Sequence, residues 1–170
     1  SLLGERMDLY KMALSIILTT RGIPQILYGT EIAMPSTENH GELRKDFPGG
    51  WENDSINAFY DFGLNEIESE AKSFMKTLLN WRKSSDAIGK GKLIHFPVKD
   101  GMYIYFRKHE KDLVMVAVNN LDNEKNLDPD LYTDVIGRKK KAIEVLSGKS
   151  YSLRKKIIID PKSAKIFQIK

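Results

Sequence analysis

The chain has 170 residues, of which 41% are hydrophobic and 29% charged, a composition that is typical of a globular protein and excludes the disordered and fibrous classes. No apolar run approaches the roughly 20 residues that a membrane-spanning helix needs, so we expect no membrane partner. The chain has no cysteine, which excludes disulfides, thiolate zinc sites and cysteine nucleophiles. The cellular compartment stays unknown, with bacterial cytoplasm and periplasm as the alternatives.

The charge of the chain is unevenly distributed. Residues 1–85 carry 9 Lys+Arg and 12 Asp+Glu, whereas residues 86–170 carry 18 and 11. Two basic runs, at 138–141 and 154–156, account for much of the excess. Neither run has interleaved aromatic residues, which surfaces for single-stranded nucleic acid use for base stacking. We therefore interpret the runs as solvated strand ends and guarded sheet edges, and expect no nucleic-acid partner.

The first two elements are a predicted helix and a predicted strand. Apolar residues at positions 7, 10, 14, 17 and 18 have the spacing of one helical face, which predicts a helix over residues 5–20. The segment from Ile23 to Tyr28 is nearly continuously hydrophobic and is bounded by glycines. Such a run is typical of a parallel strand that is buried on both faces.

A long loop and a second helix follow. Residues 30–64 show no sustained period and are rich in Gly, Asn, Asp, Ser and Pro, which predicts a loop of roughly thirty residues that is either functional or disordered. Apolar residues from Ile67 to Trp81 then recur at steps of four and three. Asn65 and Glu68 have the spacing of a capping box, so the helix begins at this point.

Beyond residue 89 the pattern changes to short strands and turns. Asp100-Gly101 between two β-rich runs is a strong hairpin signal. A helical turn is expected within residues 128–136. The predicted strands span residues 93–98, 102–107, 113–119, 142–146, 150–153, 156–159 and 164–169. Strands this short and evenly spaced predict an antiparallel sandwich.

The predicted strand at Ile23 to Tyr28 has no partner in the first 85 residues. A strand that is buried on both faces needs neighbours on either side, so the sequence predicts that further residues precede this chain. Without them, the strand would expose unpaired edges and an apolar surface. We expect either dimerisation through these bared elements or disorder in much of residues 34–60.

Two motifs carry a resemblance to a known family. Gly22, Pro24, Gly29 and Glu31 form a G-x-P-x-x-x-x-G-x-E pattern that resembles the eighth barrel strand of the α-amylase family of glycoside hydrolases. Residues 41–51 resemble the neopullulanase and cyclomaltodextrinase branch of that family. The resemblance implies an α+β chain: residues 1–86 as the last helix-strand-helix of a TIM (β/α)8 barrel, and residues 87–170 as an antiparallel Greek-key β-sandwich.

The resemblance also implies an activity and a departure from it. Enzymes of this family hydrolyse α-glucosidic bonds with retention, and the branch acts on maltodextrin, cyclodextrin or pullulan. The family's three catalytic carboxylates would all lie before Ser1, so we assign no catalytic residue and expect the isolated chain to be inactive. The alternative is a carbohydrate-binding or oligomerisation module without enzymatic activity.

Five residues are candidates for contact with an α-glucan or for support of that contact. The resemblance implies that Arg44 and Asp46 take part in substrate binding, because the planar guanidinium suits sugar hydroxyls or a neighbouring carboxylate. Trp51 either stacks on a glucose ring or packs the loop against the barrel. Tyr28 and Glu31 would lie beneath the substrate, at the end of the barrel strand.

We expect no cofactor and no metal in this chain. The three histidines, His40, His95 and His109, are too scattered along the sequence for a metal site, and no carboxylate cluster has the spacing of a calcium loop.

Overall fold

The computed structural model describes residues 6–35 and 45–170. The helices are α1 (Met7–Thr19), α2 (Glu66–Ser84), α3 (Asp86–Lys90) and α4 (Thr133–Ile136), with 3-10 turns at Thr30–Ile32 and Pro129–Tyr132. The strands are β1 (Lys92–His95), β2 (Met102–His109), β3 (Asp112–Asn119), β4 (Lys125–Leu127), β5 (Lys141–Glu144), β6 (Ser150–Ser152), β7 (Ile157–Ile159) and β8 (Ser163–Ile169). Among the described residues, no helix has the length and apolar character that a bilayer crossing requires.

Both long helices form where the sequence predicts them. The capping box of α2 is complete: the Asn65 side chain accepts from the backbone N–H of Glu68 at 2.9 Å, and the Glu68 carboxylate accepts from the N–H of Asn65 at 3.0 Å. The predicted apolar faces are wrong at two positions, since Ile17 and Ile67 are 47% and 45% exposed.

The strands form two antiparallel sheets. The larger has the order β1-β2-β3-β8-β5-β6, and the smaller pairs β4 with β7. The strand β8 pairs with both β3 and β5, whereas β7 pairs with β4 in the smaller sheet, so β5 to β8 do not form the predicted Greek key within one sheet. The predicted hairpin forms around Asp100 and Gly101, whose φ angles of 50° and 78° suit the right-handed twist of the flanking strands.

The larger sheet is buried on both faces, and β3 shows this most clearly. Its alternate side chains Leu113, Met115 and Ala117 pack toward β4 and β7, in a core with Ile157 and Ile159. Its other residues point to the opposite face and pack against α1, α2 and α3; they are Val114, Val116 and Val118. The antiparallel sandwich prediction is therefore confirmed in outline, with the helices covering its second face.

The predicted strand at Ile23 to Tyr28 is wrong for the described part of the chain. Residues 23–27 have no regular secondary structure and pair with no strand among the described residues, and Ile23 and Leu27 are 98% and 64% exposed. A strand needs a hydrogen-bonded neighbour, and the described residues offer none here. The expectation of dimerisation or disorder over residues 34–60 stays a prediction, and residues 36–44 of that segment lie outside the described residues.

Candidate functional site

The turn that follows residues 23–27 depends on a glycine and on a hydrogen bond from a tyrosine of α1. Gly29 has a φ of 82°, and a side chain at this position would approach the methyl carbon of Met34 to 2.8 Å. The hydroxyl of Tyr10 donates a hydrogen bond of 2.5 Å to the carbonyl oxygen of Thr30. The first helix therefore fixes the 3-10 turn that carries Glu31.

Glu31 and Tyr28 lie at this turn, where Glu31 is half-buried and Tyr28 is 44% exposed, and their place beneath a substrate stays a prediction. Burial, with a smaller contribution from the negative charge of Glu31, raises the pKa of Tyr10 to about 12. The hydroxyl of Tyr28 donates to the backbone oxygen of Lys45 at 2.9 Å. Tyr28 thus joins the turn to the start of the next described segment, residues 45–63, which we call the aromatic loop.

A carboxylate organises the first half of the aromatic loop. One oxygen of Asp54 accepts hydrogen bonds from the backbone N–H groups of Gly49 (2.7 Å) and Trp51 (3.1 Å). Gly49 has a φ of 96°, and a Cβ there would lie 2.6 Å from the side chain of Asn57, so only glycine fits this turn without a shift. The position of Trp51 is therefore set by the turn on either side of it.

The second half of the loop is organised by an asparagine. The backbone groups of Asn57 and Phe62 exchange hydrogen bonds of 2.8 and 3.0 Å. The Asn57 side-chain oxygen accepts from the N–H groups of Phe59 (3.1 Å) and Tyr60 (3.3 Å). Turns of this kind use Asn because its short side chain replaces a backbone acceptor.

Lysine 72 of α2 fastens this half of the loop to the helix. Its ammonium donates to the carbonyl oxygen of Ala58 and pairs with the carboxylate of Asp61. Hydrogen bonding to Lys72 lowers the pKa of Asp61. Asp54, Asn57 and Lys72 were not among the sequence candidates, although the Gly49-Gly50 and Asn53-Asp54 pairs carry the turn chemistry that points to such contacts.

The aromatic loop presents large rings to solvent. Trp51 is 67% exposed and Tyr60 is 83% exposed. Exposure of this size does not fit the interpretation of Trp51 as a packing residue within this chain. Asp46 is exposed at the start of the loop, and Arg44 lies outside the described residues. Substrate contact by Arg44, Asp46 and Trp51 stays a prediction.

The described carboxyl groups whose pKa is shifted are not suited to act as general acids. Hydrogen bonds to Arg6, Lys72 and Lys90 lower the pKa of Asp8, Asp61 and Asp86 respectively, that of Asp8 to about 2. A general acid at neutral pH needs the opposite shift. Within the described ranges, no group of three or more His, Asp or Glu side chains is arranged to hold a metal ion.

The sheet region is similar to a known domain family. Residues 93–168 match the family described as Cyclo-malto-dextrinase C-terminal domain. The chain is homologous to the C-terminal part of α-amylase-family enzymes. It is 35% identical over 129 residues to a cyclomaltodextrin glucanotransferase of Klebsiella oxytoca, a match that covers 72% of this chain and 18% of that protein. An α-amylase of Niallia circulans is 27% identical over 148 residues, with coverage of 82% and 25%.

Solved structures of α-amylase-family enzymes share the fold. An α-amylase from Geobacillus thermoleovorans, complexed with acarbose, has a TM-score of 0.72 at 20% identity and covers 96% of this chain with 33% of its own. A cyclomaltodextrin glucanotransferase with a three-domain distribution has a TM-score of 0.65 at 23% identity, with coverage of 99% and 34%. The chain thus spans less than a fifth of the glucanotransferase of Klebsiella oxytoca and about a third of these solved chains.

Proposed function

We propose that this chain is the C-terminal part of a retaining α-glucan hydrolase that acts on maltodextrin or cyclodextrin, and that its catalytic carboxylates lie outside residues 1–170. In this proposal residues 1–86 complete a TIM barrel and residues 87–170 form the sandwich domain that follows it. The observation that carries the proposal is the exposure of Ile23 and Leu27 in a hydrophobic segment without a strand partner among the described residues. Neighbouring barrel strands would bury these side chains.

The similarity in fold to solved α-amylase-family structures supports this assignment over most of the chain. The solved α-amylase from Geobacillus thermoleovorans covers 96% of the chain, which includes the helices as well as the sheets. The pKa values of Asp8, Asp61 and Asp86 are lowered, whereas retaining cleavage needs an acid with a raised pKa and a second carboxyl about 5–5.5 Å away. Both points favour a supporting role for these residues in a larger catalyst.

In the proposed enzyme, the aromatic loop contributes to the substrate cleft. The Asp54 and Asn57 hydrogen bonds hold the backbone of the loop around Trp51 before a sugar arrives. A glucose ring offers an apolar face of C–H groups that stacks on such a ring. Arg44 and Asp46 would bind the hydroxyl groups, and Tyr28 and Glu31 would hold the floor beneath them.

The isolated chain provides the first test. We expect no release of chromophore from a chromogenic maltoside and no heat on titration with maltoheptaose. Turnover by the purified 170-residue chain would overturn the proposal, because it requires catalytic groups that the proposal locates elsewhere. Saturable binding of maltoheptaose without turnover would favour the alternative, a carbohydrate-binding module; concentration-dependent dimerisation without sugar binding would favour an oligomerisation module.

The second test is a kinetic measurement on a longer polypeptide that includes the proposed barrel. Trp51→Ala should raise KM for maltoheptaose about tenfold, which corresponds to the loss of one stacking contact of about 1.4 kcal/mol, with kcat changed much less. Leu131→Ala is the matched control, because Leu131 is 68% exposed and lies near α4 in the sheet region. An equal effect of both variants, or none of Trp51→Ala, would exclude the proposed role of the loop.

A further inference from the structure

A concave surface lies in the sheet region, between α4 and the turn that follows β6. The cleft has a volume of about 370 Å³. Its floor is apolar: Ile136 and Leu153 are each 5% exposed, and Pro129 is buried beside them. Clefts of roughly 300–1,000 Å³ are the size class that binds small molecules.

The rim of this cleft is basic. Arg138, Lys140 and Arg154 line the cleft. Asp130 also lines it and contributes a negative charge. The described residues give the three cationic side chains no hydrogen bond and no ion pair. Lys139 also lines the cleft, but its ammonium donates to backbone oxygens of Lys111 (2.8 Å) and Ile169 (3.3 Å).

The surrounding chain neutralises this charge only in part. Residues 129–156 contain eight Lys or Arg and three acidic residues, Asp130, Asp134 and Glu144. The carboxylate of Glu144 is buried and accepts from the backbone N–H groups of Leu146 (3.1 Å) and Ser147 (2.7 Å). It closes the turn after β5 and does not face the cleft cations.

We propose that this cleft binds a phosphate monoester carried by a sugar. The two guanidinium groups of Arg138 and Arg154 offer planar forks that match the geometry of phosphate oxygens, and Lys140 adds a point charge. The apolar floor at Ile136 and Leu153 complements the C–H face of a hexose ring. The lining contains no aromatic ring, so it lacks the stacking platform that single-stranded nucleic acid requires.

This proposal is independent of the proposed function. The cleft is built from residues 129–154 alone, and none of its lining comes from α1, α2, α3 or the aromatic loop. It needs no catalytic group, and binding to it can be measured in the 170-residue chain whether or not that chain is part of a hydrolase.

The test is an NMR titration of the 15N-labelled chain with glucose 6-phosphate at constant ionic strength. We expect saturating shifts of the amides near Arg138, Lys140 and Arg154, with a dissociation constant on the order of 1 mM, and no shifts with glucose. Arg138→Ala/Arg154→Ala should weaken binding about tenfold or more. The control Lys92→Ala/Lys108→Ala removes the same charge from a cross-strand pair on β1 and β2, and should change binding less than about twofold.

Two further arms separate the alternatives. Arg138→Lys/Arg154→Lys keeps the charge and loses the forks, so it should recover only part of the affinity if the guanidinium geometry matters. Equal losses in the cleft variant and the control, or full recovery with lysine, would reduce the site to unspecific attraction and overturn the proposal. If inorganic phosphate binds as tightly as glucose 6-phosphate, the sugar contributes nothing and the proposed ligand is wrong. If the chain binds anionic phospholipid vesicles but does not bind glucose 6-phosphate, the cleft contacts a lipid surface instead.

Discussion

Arg107 of β2 donates a hydrogen bond of 2.6 Å from Nη1 to the carbonyl oxygen of Thr20, at the C-terminal end of α1. The same guanidinium reaches the carbonyl oxygens of Thr19 at 3.1 Å, Ile88 at 2.8 Å and Gly91 at 2.9 Å. Arg107 is 3% exposed, and burial lowers its pKa. One cation therefore satisfies the last carbonyls of two helices and interacts favourably with the negative ends of their dipoles.

Arg107→Met should be among the most destabilising single changes in the sheet region. Methionine fills a similar volume but leaves four carbonyl oxygens without their donor, at a cost of about 2–4 kcal/mol in the free energy of unfolding. Urea unfolding followed by circular dichroism measures this directly. The control Lys108→Met changes the next residue of β2, which is exposed, and should cost less than about 0.5 kcal/mol. Equal stability of the two variants would contradict the role assigned to Arg107.

Stability should fall on the alkaline side because two tyrosines need their protons in the folded state. Burial raises the pKa of Tyr105, whose hydroxyl shares a 2.6 Å hydrogen bond with Thr19, and burial raises the pKa of Tyr10 from 10 to about 12. Because the pKa of both tyrosines is higher in the folded state than in the unfolded chain, their contribution to stability is fully present below pH 10. Above pH 10 the unfolded chain releases protons that the folded chain retains, so stability decreases up to about pH 12.

Thermal unfolding at half-unit intervals from pH 9 to 11.5 checks this pH dependence. Tyr10→Phe and Tyr105→Phe should each lower the stability at pH 8 and flatten the decline above pH 10. Tyr60→Phe removes a hydroxyl from a side chain that is 83% exposed and serves as the control. A decline of the same steepness in the double variant Tyr10→Phe/Tyr105→Phe would show that other groups cause it.

The side chain of Asn119 connects the two sheets. We expect that a carboxylate cannot replace its amide without a large loss of stability. The fully buried side chain donates from Nδ2 to the carbonyl oxygens of Asn123 (2.9 Å), Asp160 (3.0 Å) and Ile159 (3.2 Å), and accepts from the N–H of Leu121 (3.1 Å). Asn119→Asp places a negatively charged oxygen against three carbonyl oxygens. It should lower the free energy of unfolding by about 3 kcal/mol or more, which is a larger loss than the one Asn119→Ala causes.

Chemical denaturation at two pH values separates charge from shape at this position. At pH 7 Asn119→Asp should be less stable than Asn119→Ala, and near pH 5 the difference should shrink because a protonated carboxyl regains a donor. If Asn119→Asp equals Asn119→Ala at both pH values, the three carbonyl contacts do not carry the energy assigned to them.

The sequence predicts local features of this fold well, because they depend on neighbouring residues. The capping box at Asn65 and Glu68 and the turn at Asp100-Gly101 each need only a few adjacent side chains, and both form as expected. The strand β4 was missed, since its three residues Lys125–Leu127 are too few and too polar to show alternation.

Contacts between distant segments could not be predicted in this way. Arg107 carries no local sign of its role: it ends a run of apolar residues in β2, and its partners are 16 to 88 positions away. The roles of Asp54 and Asn57 in the aromatic loop were missed for a different reason, because Gly, Asn and Asp mark a turn without saying which donors a side chain will meet. The predicted strand at Ile23 to Tyr28 does not form among the described residues, because hydrophobicity signals burial and cannot supply the partner.

The exposed segment at Ile23 and Leu27 provides the sharpest test of the barrel assignment. In the 170-residue chain, Ile23→Ser/Leu27→Ser should leave the free energy of unfolding within about 0.5 kcal/mol, because both side chains are largely exposed, and should reduce binding of a hydrophobic dye. In a longer polypeptide that includes the proposed barrel, the same change should cost about 3 kcal/mol or more, since each side chain would then be buried against neighbouring strands. Val98→Ser, at a side chain that is 65% exposed in the sheet region, should be nearly neutral in both. A double variant that is equally harmless in the longer polypeptide would mean that no barrel covers this segment.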